Sequence, residues 1–265
     1  EIRNCNIDDE DFIVEPYLDK FQEEYIKNRK IKHLELDIDN LKVVNNHIIG
    51  QEVVKYTITD QDEGKLLEDK IFAALDNMFG TDLFHSPYFI RQNLKVELTD
   101  IFCFSESAVF IIETKAMSVF NVNTNITTDR RIANLHKQIR KALKQTSGVC
   151  NNLYTKEVPI YDSRNHQEII FDRKVCPHCI IIVDDFIPLG EHWHQILIEV
   201  FEQMIENKCY TNILDVKEFI KLVKFSNNSR YNLDYFLLER CQAVISNENL
   251  FVDIRFKNEE GEILS

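Results

Sequence analysis

The stretch TDIFCFSESAVFIIETKA, residues 99–116, decides how this chain is read. Two apolar runs, Ile101–Phe104 and Ala108–Ile112, flank the polar residues Ser105, Glu106 and Ser107, which is the pattern of two strands joined by a short loop. Strand side chains alternate between faces, so Glu113 and Lys115 share a face with Val109 and Ile111. A charge on so apolar a strand is costly unless it is paired or put to use. With the turn centred on Glu106 and Ser107, paired positions sum to 213 and Asp100 falls opposite Glu113. Directly opposed residues have Cβ atoms about 4.5–5.5 Å apart. The turn lacks the Gly or Asn of a tight hairpin, so a four-residue loop is expected; it keeps the same register. A slip of one residue would break the pairing.

Two carboxylates at that distance repel each other unless something positive lies between them, and Lys115 is on the face of Glu113. A third carboxylate is expected from a helix that starts near Asp62. Leu67, Ile71, Leu75 and Met78 fall at helical spacing, Gly80 is the stop, and Glu68 is in register with Phe72, Leu75 and Phe79 on the apolar flank. Glu97 has the opposite parity to Asp100 and is set aside. Three acids and one lysine suit a hard cation, Mg²⁺ or Mn²⁺, held by carboxylates, water and substrate phosphate. Such an ion polarises a phosphoryl oxygen and activates water, with Lys115 orienting that water or stabilising developing charge. The chemistry that follows is phosphodiester hydrolysis.

Asp100, twelve intervening residues and then Glu113-Thr114-Lys115 resemble the D…ExK signature of the restriction-endonuclease-like PD-(D/E)XK nucleases. EGKLLEDKIFAAL, LTDIFCFSESAVFIIETKA and NLHKQIRKALKQ look like the nuclease-related domain and its Mrr-like relatives, over roughly residues 62–225, with TNILDVKEFIKLV resembling the closing segment. The resemblance implies an α/β fold with a restriction-endonuclease-like core, a central mixed sheet flanked by helices. It also implies cleavage of DNA in prokaryotic defence or repair, with Glu68, Asp100, Glu113, Lys115 and Gln138 in the site and Mg²⁺ or Mn²⁺ on Glu68, Asp100 and Glu113. The SES turn departs from the family pattern, which often has Gly there.

The domain organisation expected is an acidic N-terminal extension (1–60), a nuclease-like core (61–225) and a C-terminal addition (226–265). The first 24 residues hold nine acids against Arg3 and Lys20, which disfavours contact with phosphate. Residues 33–59 read as a small strand-rich piece with an Asn45-Asn46 turn. A second helix is expected from about Asp129 to Thr146, with Ile132, Leu135, Ile139 and Leu143 inward. It carries Arg130, Arg131, Lys137, Arg140, Lys141 and Lys144 against one acid, in a chain whose net charge is -13. The net charge argues against bulk attraction to nucleic acid, while this local patch could follow a phosphate backbone. VCPHCIIIVDD reads as a buried strand, and EHWHQILIEVFEQMIENK as an amphipathic helix burying Trp193, Ile196, Leu197, Val200, Phe201 and Met204.

Other features weigh less. Cys176 and Cys179 form a CPHC motif with no second ligand pair at zinc-finger spacing, so a strand start with small buried thiols is expected. His192 and His194 point to different sides of a helix, and Asp184 and Asp185 are expected to cap or face solvent. Seven scattered cysteines do not suggest a disulfide framework, no apolar run can cross a bilayer and no secretory signal is read, so a cytoplasmic, membrane-free protein is expected. The opening residue is Glu1 rather than Met, as expected of a chain processed or cut from a longer polypeptide. DNA is the expected substrate, with RNA the other candidate. A protein partner or fused domain such as a helicase or ATPase, and a second copy of the chain, are the further partners. The rival class is a silent nuclease-fold module that binds nucleic acid or protein without cutting.

Overall fold

A computed structural model describes residues 41–44, 47–50, 63–116, 128–184, 186, 193–252, 256–257 and 263–264. The chain divides into two compact units, residues 1–60 and 61–265. In the first, β1 (Leu41–Val44) and β2 (His47–Gly50) pair antiparallel, ending on Val44 opposite His47. The Asn45-Asn46 turn and the acidic segment 1–24 lie outside the described residues.

The second unit opens with helix α1 (Glu63–Phe79), which buries Leu67, Ile71, Leu75, Met78 and Phe79, the stripe expected from spacing. Full burial of each such side chain stabilises by about 1.5–3 kcal/mol. Gly80, at φ +52, ends the helix where a side chain would be strained. Strands β3 (Leu83–His85), β4 (Tyr88–Arg91), β5 (Leu94–Glu97), β6 (Ile101–Phe104) and β7 (Val109–Lys115) follow. Helix α2 (Thr128–Cys150), a π-helical turn (Asn151–Thr155), β8 (Ile160–Tyr161) and β9 (Pro177–Val183) lead to α3 (Trp193–Asn207), β10 (Tyr210–Asp215), α4 (Val216–Phe225) and α5 (Arg230–Asn247). A last antiparallel pair is β11 (Phe256–Lys257) with β12 (Ile263–Leu264).

The central sheet is mixed, in the order β10-β9-β7-β6-β3. Strands β7 and β9 are parallel, as are β9 and β10, so α2 and α3 are crossover helices. Both β7 and β9 are covered on both faces, which is why they read as near-continuous apolar runs. One face carries Ile101, Cys103, Phe110, Ile112, Ile180 and Ile182 against α1, α4 and α5. On the other, Ile181, Val183 and Ile213 pack on Leu135, Ile139 and Val200 of α2 and α3. The protein is thus mixed α/β with a mixed central sheet between helices. No helix among the described residues is long and apolar enough to cross a membrane.

Besides the expected hairpin, residues 86–116 hold two further strands, because Gln92 and Asn93 both adopt positive φ and close a hairpin from β4 to β5. That hairpin belongs to a separate sheet, β5-β4-β8, and exposes Ile90, Leu94 and Val96, so it lacks the usual buried-face signature. The segment set apart as a C-terminal addition falls within the second unit, where Leu233 and Leu237 of α5 join the core under β10.

Candidate active site

The register of β6 with β7 is the expected one: Ile101 pairs with Ile112, Phe102 with Ile111, Cys103 with Phe110 and Phe104 with Val109. Four residues, Ser105 to Ala108, close it. No glycine is needed because the Ser105 hydroxyl accepts hydrogen bonds from the backbone N–H of Ser107 and Ala108, at 3.3 and 3.1 Å. The Ser107 hydroxyl donates to Asp234 of α5 at 3.1 Å, and the other Asp234 oxygen is 2.8 Å from Nε2 of buried His178. The loop is therefore tied to the helix layer and to β9.

At the other end of the hairpin the charges converge. Asp100 lies one residue beyond the last pair, and its Oδ2 accepts from the Thr114 N–H at 2.6 Å and the Thr114 hydroxyl at 3.1 Å. The Lys115 ammonium donates to Glu113 Oε2 at 2.8 Å and stands 3.8 Å from Asp100 Oδ2. It is the positive charge between the two carboxylates that their spacing demanded. The Thr99 hydroxyl donates to the Ile112 carbonyl at 2.9 Å, fixing the backbone just before Glu113.

Glu113 is 1% exposed. Burial pushes its carboxyl above the usual range and Asp100 adds repulsion, which Lys115 opposes. Glu68 is half-buried on α1, 3.5 Å from Nε2 of His85 on β3. Burial first, then the charges of Asp100 and Glu97, push it up to about 7, while Lys115 pulls the other way. Asp100 and Glu113 thus share one ammonium, Glu68 feels it from farther off, and Glu68 and Glu113 both resist ionising as the site stands. Oxygen donors of this kind are those a hard divalent cation takes, although the ligand oxygens of Asp100, Glu113 and Glu68 do not all lie within 4.8 Å of one another as the site stands.

Not every expected residue joins this group. Gln138 is half-buried on α2, one residue before the inward-facing Ile139, and makes no hydrogen bond to the four charged residues. Arg140 keeps a side chain that is 40% exposed but is held by an ion pair. Its Nε donates to both Glu199 oxygens of α3, at 2.8 and 3.1 Å, because the two crossover helices pack side by side. Arg130, Arg131, Lys137, Lys141 and Lys144 are exposed. Helical spacing puts Arg130, Lys137, Lys141 and Lys144 on one stripe, opposite buried Leu135, Ile139 and Ala142 and about 20 Å long. Since α2 runs back against β7, Arg130 and Arg131 occupy the end of the helix nearest Lys115.

Sequence reasoning missed Glu97, His85, Thr99 and Thr114. Glu97 was set aside by parity, but parity does not carry from β5 to β6, because these strands belong to different sheets and Asp100 lies at a bend. His194 is exposed on α3, Asp184 half-buried beyond β9, and His192 and Asp185 lie outside the described residues. No family model, no curated protein and no solved structure matches the chain.

Proposed function

We propose that this protein is a metal-dependent nuclease with a restriction-endonuclease-like core, hydrolysing phosphodiester bonds of DNA. One observation carries the reading: Asp100 and Glu113, in register at the open end of one hairpin, are bridged by Lys115 at 3.8 and 2.8 Å. Asp100, Glu113 and Glu68 would hold Mg²⁺ or Mn²⁺. When bound, such an ion polarises the phosphoryl group and makes water a better nucleophile at neutral pH.

The chain's own residues supply the rest. Thr114 fixes the Asp100 carboxylate through two hydrogen bonds, leaving its Oδ1 for a further ligand. Lys115, anchored on a strand buried on both faces, holds its ammonium where it can orient water or offset charge building on the phosphate. Arg130, Arg131, Lys137, Lys141 and Lys144 would follow the backbone of the nucleic acid. Gln138 has no contact that assigns it a part.

Purified protein incubated with plasmid and Mg²⁺ or Mn²⁺ is expected to nick or cut it, and Lys115→Ala, checked for folding by circular dichroism, to be inert. Equal inertness of both proteins on DNA and RNA with either cation would sink the enzyme reading. Cation-independent binding of nucleic acid that survives Glu113→Gln would instead identify a silent binding module.

A further inference from the structure

Three thiols with no part in the carboxylate site meet in the core. Cys150 ends α2, Cys179 lies in β9, and Cys209 immediately precedes β10. They are 2%, 0% and 4% exposed, and their sulfur atoms all lie within 4.8 Å of one another, with Cys150 and Cys179 at 3.4 Å. All three are unoxidised. We propose that Cys150, Cys179 and Cys209 form a thiolate site for one zinc ion, with the Tyr154 hydroxyl beside its fourth position.

The dimensions suit the ion. Zinc–sulfur bonds of about 2.3 Å in a tetrahedron set the sulfurs about 3.8 Å apart. The distances here bracket that value to within about an ångström, so side-chain adjustment suffices. The Tyr154 hydroxyl is a buried polar atom with no hydrogen-bond partner, and its ring packs on the cluster that contains all three cysteines. Cys150 is the N-cap of the π-helical turn and Tyr154 lies within it, an irregularity that recurs at functional sites.

Soft sulfur donors separate this site from the hard oxygen donors of Asp100 and Glu113. Binding would release the three thiol protons to solvent and exchange them for a dication, leaving one net negative charge. Cuprous ion would leave two, which is costlier in a buried setting. Arg173, whose guanidinium donates to the Leu153 and Val158 carbonyls, ties down the segment that carries Tyr154. The ion would pin the end of α2 to β9 and β10. The CPHC motif then contributes only Cys179: Cys176 is exposed and donates its thiol hydrogen to the Lys208 carbonyl.

The test uses the full chain, reduced and stripped by chelation. Titration with Zn²⁺ against a chromophoric chelator is expected to give one ion per chain. Co²⁺ as a stand-in is expected to show sulfur-to-metal charge transfer and a tetrahedral ligand-field band, both erased by Zn²⁺. Cys179→Ala and Cys209→Ala should abolish both signals. Tyr154→Phe should weaken zinc by about tenfold, and Cys176→Ser should leave it unchanged. Should a core variant fail to fold, Cys176→Ser and Tyr154→Phe still decide. No zinc uptake by the wild type overturns the proposal, as does uptake lost in Cys176→Ser, a preference for Cu⁺ over Zn²⁺, or a Cys150–Cys179 disulfide recovered from the reduced, zinc-treated protein.

Discussion

Arg240 and Glu113 are both nearly excluded from water, at 2% and 1% exposure, and each has an opposite charge beside it. Their surroundings differ. Arg240 of α5 donates to both oxygens of Glu218 at 2.6 and 3.1 Å, to Asn212 Oδ1 at 3.3 Å, and to the carbonyls of Ile213 and Leu250 at 2.9 and 3.2 Å. Its charge is balanced by one carboxylate and its hydrogens find acceptors. Glu113 has one ammonium that it shares with Asp100, and a repelling carboxylate nearby. A buried pair that is fully satisfied serves the fold, whereas under the proposed function the surplus charge around Glu113 is what an arriving cation would offset.

The contrast can be broken from either side. Removing Arg240 should cost most: Arg240→Ala takes the guanidinium from Glu218, Asn212 and two carbonyls at once, and urea unfolding should register a loss of about 3–5 kcal/mol. Under the proposed function, Lys115→Ala should lower the cleavage rate about a hundredfold or more, or about 2.7 kcal/mol of barrier, with a nearly unchanged melting temperature. If it unfolds the protein as Arg240→Ala does, the two pairs are alike and the distinction fails. Mg²⁺ or Mn²⁺ at a hundredfold excess over its Kd should stabilise the wild type by about 2.7 kcal/mol; Glu113→Gln should show little of this in a thermal melt.

A smaller effect concerns pH. Glu68, raised to about 7 from an ordinary 4.5, binds its proton more tightly folded than unfolded. In chelator-treated protein its contribution is therefore full below about pH 4.5 and is lost as pH rises through 7. Partial exposure screens it to on the order of 1 kcal/mol. Glu68→Gln should flatten that slope in melts taken from pH 5 to 8.

Much of the site was legible because it is local. Apolar runs on both sides of Ser105-Glu106-Ser107 and the parity of Glu113 with Lys115 were enough to give the register that places Asp100. The stripe of α1 brought Glu68 with it. What stayed hidden depended on distant contacts. The β4–β5 hairpin leaves the main sheet, so nothing along the chain reveals that Glu97 acts on Glu68. Glu199 lies 59 residues from the Arg140 it neutralises. Cys150 and Cys179 are 29 residues apart, so their meeting is a matter of packing and no spacing rule finds it.

Asp100, Glu113 and Lys115 lie within a single hairpin closed by four residues. The entropy lost in bringing chain ends together grows with the logarithm of the span between them. Gathering these three charges therefore costs no more than forming the hairpin itself. Their mutual geometry asks nothing of β9, β10 or the crossover helices beyond support from behind. Insertions in the longer connections, such as the one from α2 to β9, would lengthen other loops and leave this trio as it is.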